Sequence, residues 1–381
     1  MNVTVKNIPK LRFKEFSGEW IENTLDCLCD EFKSGKNITA KDIFNKGSYP
    51  VYGGNGLRGY SEQFTHDDSL VLIGRQGGLC GNINRVYGKA YISEHAIVIK
   101  ENKNSDISWL FYRLDFLNLN NYSESSAQPG LSVNKIKKIT IFSPSKQEQQ
   151  KIADFLSSVD SKIQVLKQQQ QLLQQYKKGM MQKLFSQQIR FKDDNGHDYP
   201  DWEFILAKKL FYNYSNKKHN SDLPILAVTQ DKGVVNRDDI DKHISSSNKS
   251  IASYKVVNKG DFIISLRSFQ GGIEYSYITG ICSPAYTILK ADKSIIDDFY
   301  RYYFKKESFI SQLSMTVVGI RDGKQISYDA FSSIKLPYPS LPEQQKIADC
   351  LSAIDKKIEL VSKKITYTQQ FKQGLLQQLF V

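Results

Sequence analysis

Two short segments of the chain combine arginine, glutamine and glycine in the same order. The first is Arg75-Gln76-Gly77-Gly78, and the second runs from Arg267 to Gln270-Gly271-Gly272. Arginine can make two parallel hydrogen bonds to guanine, glutamine can pair similarly with adenine, and glycines allow a backbone to approach a ligand closely. These residue types predict loops that contact the edges of DNA bases. The structural alternative for either loop is an ordinary glycine turn whose arginine makes a surface ion pair.

Further candidates for DNA contact lie in other loops. One glycine-rich loop of the first half of the chain mixes aromatic, amide and cationic groups, and DNA binding and a purely structural role are equally compatible with it. His95 follows the first arginine segment, and two loops further along the chain occupy equivalent places before the final strand of each half. The candidates in these loops are Tyr52, Asn55, Arg58, Tyr60, His95, Gln128, Arg321 and Lys324.

Known nucleotide-binding and catalytic motifs give no support for an enzyme. Gly54, Gly56 and Gly59 match the spacing G-x-G-x-x-G, but the residues that follow are a poor helix start, whereas a dinucleotide site requires a helix there. The chain contains no P-loop motif and no N-P-P-Y or D-P-P-Y tetrad of the adenine methyltransferases. The sequence therefore predicts no nucleotide-dependent enzyme.

Histidines and cysteines are scattered along the chain. No histidine has a partner at metal-ligand spacing, and the five cysteines form no paired C-x-x-C motif. We therefore expect no catalytic residue, no metal site and no disulfide framework. The segment at the N-terminus lacks an apolar core, and no stretch approaches the roughly 18 apolar residues of a membrane span. These features predict a cytoplasmic protein without a membrane partner.

The charge of the chain favours a polyanionic partner. Lys and Arg number 52 against 40 Asp and Glu, a formal net charge of +12. Nucleic acid is the partner class that such a balance favours, although charge reports on association and not on fold. At 381 residues the chain is long enough for two domains with cores of their own.

An internal repeat determines the expected organisation. The segment EQQKIADFLSSVD starts at Glu148, and EQQKIADCLSAID starts 195 residues later at Glu343. The alignment continues without a gap to Phe185 and Phe380. Arg12-Phe13, followed by Trp20, resembles Arg190-Phe191, followed by Trp202, so the repeat also includes the start of each half.

Apolar residues spaced alternately three and four apart begin within each copy of the repeated segment and continue beyond it, which predicts long helices with a coiled-coil seam. Ser145 and Ser340 stand three residues before the repeated glutamates, so we expect capping boxes there. Gly179 and Gly374 occupy equivalent positions and suggest close helix approach. The predicted seam continues to Leu184 in the first copy and to Leu379 in the second. Its first five residues in each copy are also predicted to serve partner binding: Ile152, Leu156, Val159, Ile163 and Leu166, and Ile347, Leu351, Ile354, Ile358 and Val361.

Between the helices, short apolar runs are separated by loop residues. Strands are predicted at 69–73, 96–99, 261–265 and 286–289, and shorter helices at 107–117 and 295–305. This pattern of strands and helices indicates an α/β (α+β) fold with a mixed sheet in each half. The expected domains are 1–145 and 187–340, with long helices at 146–186 and 341–381. If the helices pair over their length, they must run antiparallel, which gives a pseudo-two-fold arrangement.

The complete pattern resembles the specificity subunit of type I restriction-modification systems. The duplicated P-S-x-x-E-Q-Q-K-I-A-D helix and the repeated R-F…W entry are the motifs concerned, and the resemblance extends over essentially the whole chain. It implies two target-recognition domains, each of which recognises one half of a split double-stranded DNA sequence. The two arginine loops differ in length, so a base-contacting role does not transfer residue by residue.

The resemblance also implies partners. The long helices would bind two modification (methyltransferase) subunits, and restriction (motor-nuclease) subunits would complete the complex. S-adenosylmethionine, ATP and Mg²⁺ would then belong to those subunits, and this chain would hold no cofactor. It would direct DNA adenine methylation and restriction without being an enzyme itself. A coiled-coil scaffold with protein-binding globular domains is the alternative function.

Overall fold

The computed structural model describes residues 7–123, 129–220, 222–230, 232–240, 251–316 and 326–380. The chain divides into two compact units. Unit 1 comprises Met1–Gln168 with Ser362–Val381, and unit 2 comprises Gln169–Val361. Each unit therefore contains one globular region, the beginning of the long helix that follows it and the end of the other long helix.

The globular region of unit 1 is built from short strands. Its two shorter α-helices are Ile107–Phe116 and Val133–Lys137. The described strands are β1 (Ile21–Thr24), β2 (Cys29–Ser34), β3 (Tyr49–Gly53), β4 (Gly56–Ser61), β5 (His66–Asp67), β6 (Leu70–Gly74), β7 (Ile83–Val86), β8 (Lys89–Ile92), β9 (Ala96–Glu101) and β10 (Thr140–Ser143).

These strands form two four-stranded sheets and one strand pair. One sheet has the order β2-β9-β6-β7, the other has the order β4-β3-β8-β5, and β1 pairs with β10. The pairing of β3 with β8 is parallel and the others are antiparallel, so the prediction of a mixed sheet is confirmed here. Every residue of β6 is buried, which is why its sequence is uniformly apolar and not alternating.

Unit 2 has a related set of elements. Its shorter α-helices are Ser268–Gly271, Asp297–Tyr303, Glu307–Met315 and Tyr328–Ser332 in the described residues. The strands are β11 (Glu203–Leu206), β12 (Phe211–Tyr214), β13 (Leu226–Thr229), β14 (Gly233–Asn236), β15 (Lys255–Val257), β16 (Phe262–Ile264), β17 (Glu274–Tyr275), β18 (Gly280–Cys282), β19 (Thr287–Ala291) and β20 (Lys335–Tyr338).

The main sheets of the two units have equivalent strand orders. In unit 2 the order is β12-β19-β16-β17, which corresponds position by position to β2-β9-β6-β7, and β11 pairs with β20 as β1 does with β10. The strand pairs of unit 2 are antiparallel, and parallel pairing occurs at an isolated bridge between Ile225 and Ile281. β6 and β16 are therefore equivalent interior strands, and the strands and helices predicted from sequence are confirmed.

The long helices are Lys146–Phe185 and Leu341–Leu379. In unit 1, Lys372 pairs with Asp160, and Phe380 belongs to the same buried cluster as Ile152, so the two helix segments run antiparallel there. The seam residues Ile152, Leu156, Val159 and Ile163 are buried in unit 1, as are Ile347, Leu351, Ile354 and Val361 in unit 2, whereas Leu166 and Ile358 are half-buried.

Two local expectations about these helices are wrong. The Ser145 hydroxyl accepts from the backbone of Glu148 at 3.4 Å, but the glutamate side chain does not reach back and binds an arginine instead. The Ser340 hydroxyl has no hydrogen-bond partner among the described residues. A Cβ added at Gly179 or Gly374 would meet nothing within 4 Å in the described structure, so neither glycine marks a close helix contact.

The ends of the described chain are joined by a hydrogen bond in unit 1. The backbone N–H of Leu11 donates to the carbonyl of Gln378 at 2.9 Å. In unit 2 the equivalent residues Ile189 and Lys183 make the corresponding bond at 3.3 Å, within a continuous stretch of chain. The start of each globular region is thus fixed to the end of a long helix in the same way.

Candidate nucleic-acid interface

The Arg75 loop of unit 1, residues 75–78, leaves the end of β6. Its backbone is fixed by a neighbouring segment, because Leu131 donates to the Arg75 carbonyl and Gly77 donates to the Pro129 carbonyl, both at 2.9 Å. A cavity of about 450 Å³ lies between Arg75, Gln76 and residues 130–134. The arginine and the glutamine therefore stand at a recess on the surface that can admit part of a ligand.

Three loops of unit 1 meet at this edge. A Cβ added at Gly54, near the tip of the β3–β4 hairpin, would lie 2.6 Å from the carbonyl oxygen of His95 and 3.3 Å from the backbone nitrogen of Arg75. Asn55 at the same tip accepts from the side-chain amide of Asn82 at 3.4 Å. The close backbone approach explains why glycine is needed at position 54. It also brings three of the predicted loops together.

Two arginines at this edge remain available to a ligand. Arg58 is exposed and Arg75 is half-buried, and neither side chain makes a hydrogen bond or ion pair with another residue in the described ranges. The Cδ atom of Arg58 lies 2.5 Å from the place where a Cβ would stand at Gly53, so that glycine leaves room for the arginine chain. An unpaired guanidinium favours binding of an anion or of a base edge.

The two tyrosines of the hairpin, Tyr52 and Tyr60, make contacts within the protein that stabilise the fold. Tyr52 packs against the buried cluster that contains Leu72 and Val98. Tyr60 exchanges two backbone hydrogen bonds of 2.8 Å with Phe44, at the end of β4 that is remote from the hairpin tip. Among the four candidates in this hairpin, Asn55 and Arg58 therefore lie at the edge with the Arg75 loop.

His95 connects the Arg75 loop to the turn before β9. Its Nδ1 lies 3.1 Å from Oε1 of Gln76, and its Nε2 lies 3.0 Å from Oε1 of Glu94. The other carboxylate oxygen of Glu94 is buried without a hydrogen-bond partner among the described residues. His95 therefore holds the side chain of Gln76 and is itself held by Glu94.

The Arg267 loop of unit 2, residues 267–272, follows β16, the counterpart of β6. Its backbone forms the short helix Ser268–Gly271, with Arg267 at its N-cap position. Arg267 and Gln270 are both exposed. The Oε1 atom of Gln270 accepts a hydrogen bond of 3.1 Å from Nε2 of Gln230, which lies in the turn after β13.

The glycines of the two loops have different roles. Gly272 has a φ of +79°, and a Cβ there would lie 2.1 Å from the carbonyl oxygen of Phe304, so the backbone is packed against the protein. A Cβ at Gly77 or Gly78 would meet nothing within 4 Å in the described structure, although the φ of Gly77 is +84°. Gly78 is therefore open to a ligand, whereas Gly272 serves packing, and Gly271 is covered by Gln230.

An ion pair between Lys305 and the buried Glu274 supports the backbone of the Arg267 loop. Lys305 donates to the Gly271 carbonyl at 2.8 Å and is paired with Glu274, which is 6% exposed. Burial raises the pKa of Glu274 above its ordinary value, and Lys305 offsets part of this increase. The lysine thus links the loop backbone to a carboxylate within the sheet.

The remaining predicted contact residues are Gln128, Arg321 and Lys324, which lie outside the described residues. For the others, the structure brings Asn55, Arg58, Arg75, Gln76 and His95 together in unit 1 and Arg267 and Gln270 together in unit 2. Sequence reasoning missed Gln230. It lies 40 positions before its partner and outside any repeated motif, so no sequence signal marked it.

A buried glutamate fixes the start of each long helix to the start of its globular region. Arg12 donates from Nε and Nη2 to the two oxygens of Glu148, each at 2.8 Å, and the Trp20 indole donates to the same carboxylate at 3.3 Å. In unit 2, Glu343 accepts from Arg190 at 3.1 and 3.0 Å and from Trp202 at 3.0 Å. The repeated R-F…W and E-Q-Q motifs are therefore two sides of one contact.

A second repeated cluster joins each globular region to both helix segments in its unit. Tyr112 donates to Asp160 at 2.8 Å, and Lys372 lies 2.7 Å from the other oxygen of Asp160. The counterpart in unit 2 has Tyr302 and Lys177, each 2.6 Å from Asp355. Burial and the neighbouring carboxylate raise the pKa of both tyrosines, so their hydroxyls remain proton donors.

The long helices also expose apolar side chains that the predicted seam did not include. They occur at matched positions of the repeat. In unit 1 they are Val165 (61% exposed), Tyr367 (66%) and Phe371 (55%). In unit 2 they are Leu360 (54%), Leu172 (64%) and Tyr176 (56%). Each unit thus has the same exposed apolar set.

Neither a metal site nor a membrane-spanning helix is found in the part of the chain that the structure describes. Within the described ranges, no cluster of three or more His, Cys, Asp or Glu side chains could hold a metal ion. No helix in the same ranges combines the length and the hydropathy needed to cross a membrane.

Comparison with protein families identifies the pattern. A family model described as the type I restriction modification DNA specificity domain matches residues 18–175 and again residues 202–367. The two matches correspond to the two copies of the internal repeat.

Individual relatives give the same result. The specificity subunit of the type I restriction enzyme EcoprrI from Escherichia coli is 41% identical over 155 residues, which span 40% of this chain and 38% of that subunit. The putative type I restriction enzyme MjaX specificity subunit of Methanocaldococcus jannaschii is 25% identical over 414 aligned positions, which span 97% of this chain and 95% of the relative.

A solved structure shows the same fold. The type I restriction-modification S subunit from M. genitalium superimposes with a TM-score of 0.62 and 18% identity, over 98% of this chain and 99% of that one. At this identity the likeness concerns the fold alone.

Proposed function

We propose, because the chain belongs to the type I restriction-modification DNA specificity family, that it recognises a split DNA target whose two halves differ in sequence. As a specificity subunit it is the DNA-recognition component of its complex. The finer proposal assigns one half-site to each unit. Direct base contacts come from the Arg75 loop in unit 1 and from the Arg267 loop in unit 2.

The observation that supports this assignment is the equivalent origin of the two loops. Both follow the same interior strand of the main sheet, β6 in unit 1 and β16 in unit 2. Each presents an arginine followed by a glutamine whose side-chain amide contacts a neighbouring side chain. Arginine and glutamine are the side chains that most often discriminate guanine and adenine in the major groove.

An asymmetric target follows from the differences between the loops. The Arg75 loop is irregular, with open glycines and a neighbouring hairpin that supplies Arg58, whereas the Arg267 loop is a short helix. Different backbones place the guanidinium and amide groups differently relative to a duplex. Two recognition surfaces of different geometry select different base sequences, so the half-sites are not related by symmetry.

The test is to determine the methylated motif. The chain is expressed with a modification subunit in a host without other methylation, and the genome is sequenced by a method that detects methylated adenine. A split, asymmetric motif is the expected result, and a single continuous or palindromic motif would contradict the proposal. Competition binding at increasing salt complements this test, because specific binding keeps its preference for the motif while phosphate contacts weaken.

The exposed apolar sets support a proposal about partners. Contiguous exposed apolar surface commonly marks a protein-binding site. Because the same set occurs once in each unit, two copies of one partner can bind in equivalent ways. We assign these surfaces to two modification subunits. S-adenosylmethionine belongs to those subunits, and ATP and Mg²⁺ belong to restriction subunits, so this chain supplies placement on DNA in the cytoplasm and no catalytic group.

Lysine substitution tests the partner surface. Leu172→Lys and Tyr367→Lys add a charge at equivalent, exposed positions, and we expect each to weaken binding of the modification subunit without lowering thermal stability. Gln174→Lys and Gln369→Lys are the matched controls, because both positions are exposed on the same helices and already polar. Equal effects of the two sets on binding, measured by analytical ultracentrifugation, would contradict the assignment.

A further inference from the structure

The side chain of Gln230, in the turn after β13, reaches the Arg267 loop. Nε2 of Gln230 donates to Oε1 of Gln270 at 3.1 Å. The same side chain also covers Gly271, because a Cβ added there would lie 3.0 Å from Cγ of Gln230 and 3.5 Å from its Cβ. Glycine at 271 therefore gives Gln230 the space it needs to reach Gln270.

Unit 1 has the same relationship with different residues. Oε1 of Gln76 lies 3.1 Å from Nδ1 of His95, which is fixed on its other side by Glu94. His95 lies in the turn before β9, whereas Gln230 lies in the turn after β13, so the two supports are not counterparts in the repeat. The common feature is that the side-chain amide of the glutamine in each arginine loop contacts another side chain, and in unit 2 its oxygen accepts the hydrogen bond.

The engaged oxygen determines which groups the glutamine offers to DNA. A glutamine amide has an oxygen that accepts and a nitrogen that donates twice, and either end can be turned outward when the side chain is free. A donor that binds Oε1 fixes the plane and the orientation of the amide. Nε2 and the second lone pair of Oε1 remain, which is the pair of groups that recognises adenine through N7 and N6.

The support also lowers the cost of ordering the side chain. An exposed glutamine loses rotamer freedom when it binds a base, and this loss opposes binding. A side chain already held in one orientation has lost part of that freedom before DNA arrives, so more of the hydrogen-bond energy is realised as preference for the correct base.

We propose that Gln230 is a positioning residue for base recognition: it holds the Gln270 amide in the orientation that selects adenine in the half-site of unit 2. The inference rests on the proposed function and extends it to a residue that does not itself contact the base. Gln230 acts through Gln270, so its effect must disappear when Gln270 is absent.

A double-mutant cycle tests this dependence. Binding of Gln230→Ala, Gln270→Ala and the double variant is measured on the methylated-motif sequence and on its single-base variants, with the chain in complex with its modification subunit. We expect Gln230→Ala to lower the preference at one position of the unit 2 half-site by about fivefold, a part of the discrimination that a bidentate contact provides. The double variant should be no worse than Gln270→Ala.

Gln230→Glu provides an isosteric second variant. A carboxylate only accepts, so Gln270 must turn Nε2 toward it and present Oε1 outward, which reverses the order of donor and acceptor facing the base. We expect loss of the adenine preference that equals or exceeds the loss in Gln230→Ala. His95→Ala serves as the matched control, because it should affect the half-site of unit 1 and leave that of unit 2 unchanged.

The outcomes separate this inference from the function on which it rests. An unchanged base preference in both Gln230 variants, or a loss that adds fully to that of Gln270→Ala, would overturn the positioning role. A uniform loss of affinity on every sequence, together with a lower melting temperature, would also overturn it, since that result indicates a structural role. If the wild-type complex showed no preference for a split sequence, the proposed function itself would fail.

Discussion

Lys177 lies 2.6 Å from Asp355, although the two residues belong to different long helices. The equivalent ion pair in unit 1 joins Lys372 to Asp160 at 2.7 Å. There the lysine belongs to the second long helix and the aspartate to the first. A tyrosine hydroxyl also donates to each aspartate. These contacts fix the antiparallel register in each unit, and they do so at polar groups, which tolerate a shift of one turn less well than apolar side chains do.

The first prediction concerns this register. Asp355→Asn removes the charge that accepts from Lys177 and Tyr302, and we expect a loss of about 1.5–3 kcal/mol in the free energy of unfolding, the range for hydrogen bonds to charged groups. Urea denaturation provides the measurement. Asp349→Asn on the same helix is the control, because this exposed residue accepts a hydrogen bond from Gln345, one turn away, and from no other side chain in the described ranges. An equal loss in both variants would show that the cluster has no special role.

The second prediction concerns the glutamates at the helix starts. Glu343 is fully buried, and Glu343→Ala would leave the Arg190 guanidinium without its main partner. Removal of one member of a buried ion pair costs about 3–5 kcal/mol, so unit 2 should unfold at distinctly lower urea concentration. Arg190→Lys should also destabilise, because lysine cannot make the two parallel bonds or reach both carbonyls of Tyr199 and Pro200.

The control for this second prediction is the equivalent site of unit 1. Glu148→Ala should lower the stability of unit 1 in the same way, since Glu148 makes the same contacts with Arg12 and Trp20. Tryptophan fluorescence can follow the two transitions, because Trp202 belongs to unit 2, while Trp20 belongs to unit 1. A loss below about 1 kcal/mol at both sites would be inconsistent with buried ion pairs.

The third prediction concerns base discrimination. Arg75→Ala should weaken the preference at one position of one half-site, and Arg267→Ala should do so in the other half-site, each by about 1–3 kcal/mol if the contact is bidentate. Competition binding against single-base variants of both halves is the measurement, and each variant is the control for the other. Equal loss on every DNA sequence would instead assign both arginines to phosphate contacts.

The fourth prediction concerns pH. Burial raises the pKa of Glu274 above its value in the unfolded chain, so the folded state holds this proton more tightly. The corresponding contribution to stability is complete below the unfolded pKa and is lost as pH rises through the folded pKa. The melting temperature of the wild type relative to Glu274→Gln should therefore fall as pH increases from about 4, near the unfolded pKa, towards neutrality.

Glu307→Gln is the control for the pH series. Glu307 is 79% exposed, although it also pairs with a lysine, Lys178 at 2.6 Å. Because the Glu307 side chain remains largely in water, Glu307→Gln should have little effect on the melting temperature. If the melting temperature of the wild type relative to Glu274→Gln rose with pH instead, the effect of Lys305 would outweigh that of burial. Folding would then lower the pKa of Glu274 and not raise it.

Much of the fold follows from local patterns in the sequence. Apolar spacing located both long helices, because the seam residues are buried within single units and their periodicity is therefore regular. The fully apolar run at β6 and the shorter one at β16 marked the interior strands that precede the arginine loops. Such patterns depend on residues close together in the chain, which a sequence displays directly.

Contacts between distant residues could not be derived in this way. Glu148 was interpreted as part of a capping box, since Ser145 stands three residues before it, but its carboxylate binds Arg12, 136 positions away. The sequence displayed both motifs twice and gave no indication that they touch. The same limitation applies to Gln230 and to the exposed apolar side chains, whose function depends on what surrounds them after folding.

The hydrogen bond between Leu11 and Gln378 has a consequence for how such a chain can arise. It replaces, at the termini, the bond that Ile189 and Lys183 make within an uninterrupted chain. The contacts that the two units share, such as this bond and the Arg-Glu-Trp contact at each helix start, are therefore available to a polypeptide of half the length, with one globular region and one long helix. Two such polypeptides that exchange helix ends would reproduce both units, and fusion of two gene copies would then join them while leaving each contact in place. After fusion, the two recognition loops can diverge independently, so one half of the DNA target can change while the other is retained.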